Sequence, residues 1–515
     1  MTPMSDDAAA YIGQLSGDKR WRWDGTVWRS TLDEPPSARV PAWMSLKLRS
    51  QATWMTAVTV LVFGLIADQF LRAGAVGLGA SATFAAAGVI LVFAGRVARL
   101  EPRLLAAAAV LFGVWLSLRA SAWLLVPDIA VALALLGTAA SLAVRGSVLD
   151  LGIAEGIARG FSTALQGIAG AAFVAKPLIQ LRPRVSGLAP IARGFLIAIP
   201  IAVVIAVLLA SADPIFASFF SLNFDFGRLL LDAFFVLAGS LVMGGLLRVA
   251  AAEPLDRIDG LTWRLGTTEG VVVLAVLDTV FAAFAIAQGI AASGTGAETL
   301  RSAGITYSDY ARSGFFQLLW VAGITLVVLV VFSRVTGFAN RAGKMTFLAL
   351  SESAIALTLL IVLVASLRLS LYEDAYGFTM LRLYSHVFAG LVAVVFVLLA
   401  IDLAGLFKKK RWFVGLSTVT ALALLMALNV ANPEALVVGL NVNRANQTHK
   451  IDAQYFHELS ADAAPALLAS RTRIDPTLWP DVMAVACAGA RTYAPSPAAF
   501  NWADAEAADA RRALC

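Results

Sequence analysis

Charge is scarce in this chain. Only 14% of its 515 residues are Asp, Glu, Lys or Arg, whereas water-soluble domains carry about 25%. That excludes a single water-soluble core and a compact soluble enzyme, and the high apolar content excludes an intrinsically disordered chain. Histidine occurs three times and cysteine twice, so general bases and thiolate ligands are few. There is no phosphate-binding GxxxxGK[ST] loop, no HExxH, no paired-aspartate or GxGD pattern of an intramembrane protease, and no credible Ser/His/Asp set. No catalytic residue, cofactor or metal is assigned, and the chain is not read as an enzyme. The net charge of +6 is scattered over many loops. It does not gather into one basic patch interleaved with aromatics, which speaks against nucleic-acid binding.

What is abundant is apolar sequence: 59% of residues are hydrophobic and the mean hydropathy is +0.79. The apolar residues fall in blocks of about 20, the length of a helix that crosses a hydrocarbon layer of roughly 30 Å. The fold class is therefore an all-α integral membrane protein in a lipid bilayer. Eleven spans are expected, near 52–71, 74–95, 104–125, 127–145, 190–211, 228–250, 267–290, 315–333, 345–367, 385–407 and 413–431. Lys and Arg number nineteen in the loops on the side of the N-terminus and six in the opposite loops. The positive-inside rule then puts the N-terminus in the cytoplasm and the C-terminus outside, with the inner-leaflet cations facing anionic lipid. The expected localisation is a bacterial plasma membrane. The opening 40 residues are polar and show no signal-peptide core.

The organisation expected is a cytoplasmic tail over 1–50, spans over 51–145, a cytoplasmic amphipathic connection over 146–189, spans over 190–432 and an external helical tail over 433–515. In the first tail, Arg20-Trp21-Arg22-Trp23-Asp24-Gly25-Thr26-Val27-Trp28 has alternating aromatics around an Asp-Gly turn, the pattern of a small hairpin. In the connection, Leu149, Ile153, Ile157, Phe161, Leu165 and Ile168 make an apolar stripe beside Gly152, Gly156 and Gly160. Two placements follow: a helix lying in the inner interface, or one packed beneath the bundle through its glycines. In the last tail, Asp475-Pro476 reads as a helix start and Asn501 as a cap. Cys487 and Cys515 share one side of the membrane by this topology, which makes them candidates for a disulfide. His449 and His457 read as a solvated surface rather than a metal site.

Ionisable residues inside the spans are costly there and therefore informative. Asp278 sits near the middle of the seventh span, and Glu352, between Ser351 and Ser353, a third of the way into the ninth. They are candidates for groups that bind a proton or cation, or for acids hydrogen-bonded between helices. Asp68 and Arg119 lie at matching depths and are expected to pair. Further polar groups recur in three loops of the external side: Asp213; Tyr310 and Arg312; Tyr376 and Arg382. These are candidates for a shared external-face site, with the arginines suited to an anionic ligand or to neighbouring acids.

Several strings carry a family likeness. They are Ala212-Asp213-Pro214-Ile215-Phe216, Thr306-Tyr307-Ser308-Asp309-Tyr310-Ala311-Arg312-Ser313-Gly314-Phe315-Phe316, Tyr376-Gly377-Phe378-Thr379, Asn432-Pro433 and Leu459-Ser460-Ala461-Asp462-Ala463-Ala464-Pro465-Ala466-Leu467. In this order they resemble the bacterial membrane family known as domain of unknown function 4173, related to 4153, over roughly residues 190–470. The short tryptophan string resembles a WDG-type module at the cytoplasmic ends of membrane proteins. The resemblance implies the architecture and no activity. Two function classes stand: a secondary transporter or permease-like protein using the intramembrane acids, and a non-transporting sensor, scaffold or partner subunit that binds a small ligand or an envelope protein outside. The absence of an inverted repeat counts against the first.

Overall fold

The computed structural model describes residues 14, 16, 21–23, 27–30, 48–72, 76–180, 205, 209, 216, 226–253, 264–292, 314–406 and 412–515. The chain forms two units, Met1–Leu46 and Lys47–Cys515. In the first, strands β1 (Trp21–Trp23) and β2 (Trp28–Ser30) pair antiparallel with Trp23 opposite Trp28. Their rings lie 5.6 Å apart, a cross-strand aromatic contact that helps so short a ladder persist.

The second unit is helical. Its helices are α1 (Trp54–Leu71), α2 (Leu78–Ala94), α3 (Leu100–Leu118), α4 (Ala122–Ser141), α5 (Ile153–Ile168), α6 (Gly170–Gln180), α7 (Phe226–Ala250) and α8 (Thr267–Ala292). They continue as α9 (Phe315–Val335), α10 (Arg341–Tyr376), α11 (Met380–Leu403) and α12 (Trp412–Ala431). The tail adds α13 (Pro433–Thr448), α14 (Ala464–Ala469), α15 (Trp479–Ala486) and α16 (Trp502–Leu514). Among the described residues nine helices are long and apolar enough to cross a membrane, and α2 is a shorter apolar one. The protein is an all-α membrane protein. Of the eleven expected spans, ten correspond to these helices; the span at 190–211 lies outside the described residues apart from 205 and 209.

Polar side chains set the helix ends. Thr53 and Thr56 form a reciprocal capping box before α1, while Asn340, Thr379, Asn432 and Asn501 accept first-turn N–H groups of α10, α11, α13 and α16. Between the caps the helices alternate between two faces. On one face the Arg49 N–H donates to Ala251 O, the Arg99 guanidinium donates to Gly146 O, and Leu265 bonds Val335 and Gly337. On the other, Leu78 bonds Phe500, Arg119 reaches Asn429, and Arg368 donates to Gln288. The C-terminal module, α13 to α16, sits on this second face.

The interior holds two membrane cores and a third in the module. One core joins α1–α4, α6 and α7; another joins α8–α11; α12 gives Leu425 to the first and Phe413 to the second. The module closes over Val438, Val442, Phe456, Leu468 and Val482. Cys487 and Cys515 are disulfide-bonded, Cα atoms 5.7 Å apart.

The structure differs from expectation in two places, the glycines of α5 and the start of α15. The α5 apolar stripe faces outward, with Ile157 69% and Phe161 53% exposed, while Glu155, Arg159, Ser162 and Gln166 are buried. A soluble helix does the reverse; here the lipid-facing side is the apolar one. The buried side is held by Arg159, which donates to Glu155 at 2.9 and 3.0 Å and to Ser141 O. Gly156 and Gly160 have no neighbour within 4 Å of a Cβ position; the close approach is made by Gly167 and Gly170 against Gly244 and Gly245 of α7. Finally, α15 starts at Trp479, because Asp475 folds a tight turn that accepts from the N–H and hydroxyl of Thr477.

Candidate functional site

Asp68 and Arg119 do not pair. Asp68 lies one turn before Arg72, at 3.6 Å, and Arg72 also pairs with Asp232 of α7, a partner nearer than Arg119 once α1 and α7 pack side by side. Arg119 terminates α3 in extended backbone, which turns its guanidinium toward the tail. There Nε and Nη2 donate to Asn429 O at 2.8 and 2.6 Å, and Nη1 lies 3.4 Å from Asp462.

That contact opens a polar cluster that brings Arg119 together with the tail. Asp462 is 3% exposed, and its Oδ2 accepts from the N–H groups of Ala120 and Ser121 at 2.7 and 2.8 Å. Ser121 offers no side-chain cap to α4, so the carboxylate of Asp462 caps that helix from 341 residues away and complements its dipole. Ser460 joins Asp462 to Glu434: its N–H and hydroxyl each donate to Glu434 Oε2 at 2.8 Å, and its Oγ lies 3.4 Å from Asp462. Burial pushes the Glu434 carboxyl up, against the hydroxyls of Ser121 and Ser460 that hold it down. Two turns into α4, Asp128 accepts from Asn429 Nδ2 at 2.8 Å; both residues are fully enclosed. Tyr384 of α11 stacks on Trp123 at 5.1 Å and lies within electrostatic reach of Asp128, Glu434 and Asp462. Beside the cluster is a cleft of about 270 Å³, lined by Arg119, Asn432, Asp462, Pro465 and Glu506 among others.

The signal for this cluster was faint. Pro127 marked the expected start of the fourth span, whereas α4 begins at Ala122 and keeps the proline inside. Asp128 therefore lies a turn deeper than expected, and Asp462 stands out in the sequence only within the string Leu459–Leu467, with no sign of its partner on α4.

Among the expected candidates, Asp278 is buried on α8 with no cation paired to it among the described residues. The hydroxyl facing it is Ser353, next to Glu352 on α10, and Glu352 Oε1 is without a partner among the described residues. The two acids thus lie on adjacent, parallel helices joined at both ends, by Gly343 beside Thr267 and by Arg368 donating to Gln288. At the second face Arg382 does not point to an open anion site. It lies 4.2 Å over the Tyr372 ring and donates to Gly377 O. Tyr376 is exposed and stacks on Tyr372 at 4.9 Å. Gly377 adopts φ +84°, and the turn after it is clasped by Asn441, which exchanges hydrogen bonds with both backbone groups of Phe378 at 2.9 and 2.8 Å. Glu373 meets His386 at 3.0 Å. Asp213, Tyr310 and Arg312 of the expected three-loop site lie outside the described residues. Among the described residues no group of His, Cys, Asp and Glu is arranged to hold a metal ion.

A family model described as a domain of unknown function, DUF4153, matches residues 106–470. The chain belongs to the DUF4153 family. The DUF4153 match runs from within α3 to just past α14, so it contains Asp128, Asp278, Glu352, Asn429, Glu434 and Asp462. It leaves out the tryptophan hairpin, α1, α2 and the disulfide-bonded end. No curated protein and no solved structure matches the chain.

Proposed function

We propose that this DUF4153 protein is a permease-like secondary transporter of the bacterial plasma membrane, coupled to protons through Asp278 and Glu352. The N-terminal hairpin is cytoplasmic and the face carrying the C-terminal module is external, as the loop charges require. Within the family we place the chain close to the 4173 group, and we read the hairpin as a WDG-type module. One observation carries the transport reading: Asp278 is buried in the middle of a membrane helix, paired with no cation among the described residues and faced by the hydroxyl of Ser353 beside Glu352. A structural acid in lipid is held by partners, whereas a transport acid exchanges its charge.

The test is proton flux in proteoliposomes containing the full chain and an internal pH dye. An imposed membrane potential drives proton entry in the wild type; D278N abolishes it and E352Q reduces it at least tenfold. Equal flux in wild type and D278N contradicts the reading.

A second reading has a specific observation behind it. The cleft at Arg119 and Asp462 is a built concavity on the second face, as a sensor or partner subunit would present to an external ligand or envelope protein. On that reading the D278N variant behaves as wild type, while Glu506→Lys at the exposed rim of the cleft disturbs function.

A further inference from the structure

We propose that Asp128 is a reversible proton-binding site inside the bundle, electrostatically coupled to Glu434 of the C-terminal module. The site is distinct from Asp278 and its test does not depend on transport.

The enclosed carboxyl comes first. Asp128 is 0% exposed, Oδ1 is bonded by Asn429, and Oδ2 has no partner. A lone carboxylate with an empty oxygen in a membrane interior is costly, and a proton on Oδ2 removes the charge. Two further buried atoms without partners accompany it, Asn429 Oδ1 and Tyr384 Oη. Pro127 adds polarity, since it lacks the N–H that would bond the carbonyl four residues back.

The coupled acid comes second. The cleft beside Asp462 reaches the cluster, and Ser460 bridges Asp462 to Glu434. Tyr384 lies among Glu434, Asp462 and Asp128. Glu434 and Asp128 therefore share the surroundings of one tyrosine, and the charge of one acid bears on the proton of the other. The groups around Asp128 favour proton binding. Arg119 at the end of α3 is engaged by Asn429 O and Asp462, α12 presents neutral Asn429, and α11 presents Tyr384. Glu434 and Asp462 are the acids that share the surroundings of Tyr384 with Asp128.

The experiment is covalent labelling by a hydrophobic carbodiimide, which adds to protonated carboxyls in apolar surroundings. Full-length protein in nanodiscs is titrated across pH in sodium chloride and in choline chloride, and adducts are located by mass spectrometry. The expected result is an Asp128 adduct that falls about tenfold per pH unit above its midpoint, as one titrating proton requires, equal in both salts. E434Q moves the midpoint to lower pH, because a like charge above Asp128 is gone. D128N loses the adduct; should that variant not fold, the wild-type profile and E434Q decide. No adduct in folded wild type, or one independent of pH, overturns the site. Suppression by sodium at fixed pH assigns the site to that cation and overturns the proton. An unmoved midpoint in E434Q overturns the coupling to Glu434.

Discussion

A carboxylate taken out of water must find donors, a cation or a proton, and the acids of this protein divide along that line. Asp462 has found donors: two N–H groups at the start of α4, Ser460 and Arg119. Asp462→Ala leaves those two N–H groups without their acceptor and the Arg119 guanidinium with only the carbonyls of Asn429 and Val430. It should destabilise the protein by about 2–3 kcal/mol, read as a lower midpoint in thermal unfolding of the purified protein; an unchanged midpoint would contradict the capping role. Glu434 is a buried acid whose carboxyl is pushed up by burial. The folded state therefore binds this proton more tightly than the unfolded chain, and its contribution to stability is lost as pH rises from the ordinary value of 4.5 through the raised one. E434Q, which cannot ionise, should flatten that part of the stability–pH profile, and parallel profiles for the two proteins would refute it.

The legibility of these acids differed for a physical reason. Asp278 stands alone in an apolar run, so hydropathy exposes it. Asp128 follows a proline that imitates a helix start, and Asp462 acquires its meaning only when a distant tail packs on α4. Arg119 showed its depth in the sequence but not its partner, because partner choice depends on which helices touch.

At the scale of elements, the amphipathic character of α5 was plain from its 3.6-residue period, yet the side it buries was not. Periodicity shows that two faces differ; the solvent decides which turns inward. The glycines make a sharper test. A Cβ on Gly245 would collide with the Gly167 backbone, whereas Gly156 and Gly160 face open space. Gly245→Ala should cost about 1–3 kcal/mol through forced separation of α7 from α5 and α6. Gly160→Ala should be neutral or stabilising by up to about 1 kcal/mol, from helix propensity. Thermal unfolding of the two variants in one detergent compares them, and equal effects would mean that the α5–α7 crossing is wrong.

At the scale of the whole molecule, the module is tied into the bundle. Asn501 caps α16 and also donates to carbonyls of Val76, Leu116 and Arg119, and the last residue is fixed by the Cys487–Cys515 bond across 28 positions. Cys487→Ser should lower the stability of the module by about 3 kcal/mol in the chain-entropy account, seen as earlier proteolysis of the tail; equal protease resistance would show the bond to be dispensable. The pairing of helices into two cores joined by α12 could not be read from hydropathy, since spans of similar composition carry no address for their neighbours.

The transport reading stands or falls on whether water reaches the acids of α8 and α10. Both native cysteines are locked in the disulfide, so single cysteines at 278 and 352 can be introduced into an otherwise wild-type chain. Intact cells are then treated with a small membrane-impermeant thiol reagent. The account predicts labelling at both positions, from a water-filled path that ends beside Ser353. Folded protein that stays unlabelled at both would make the acids dry structural groups and contradict it.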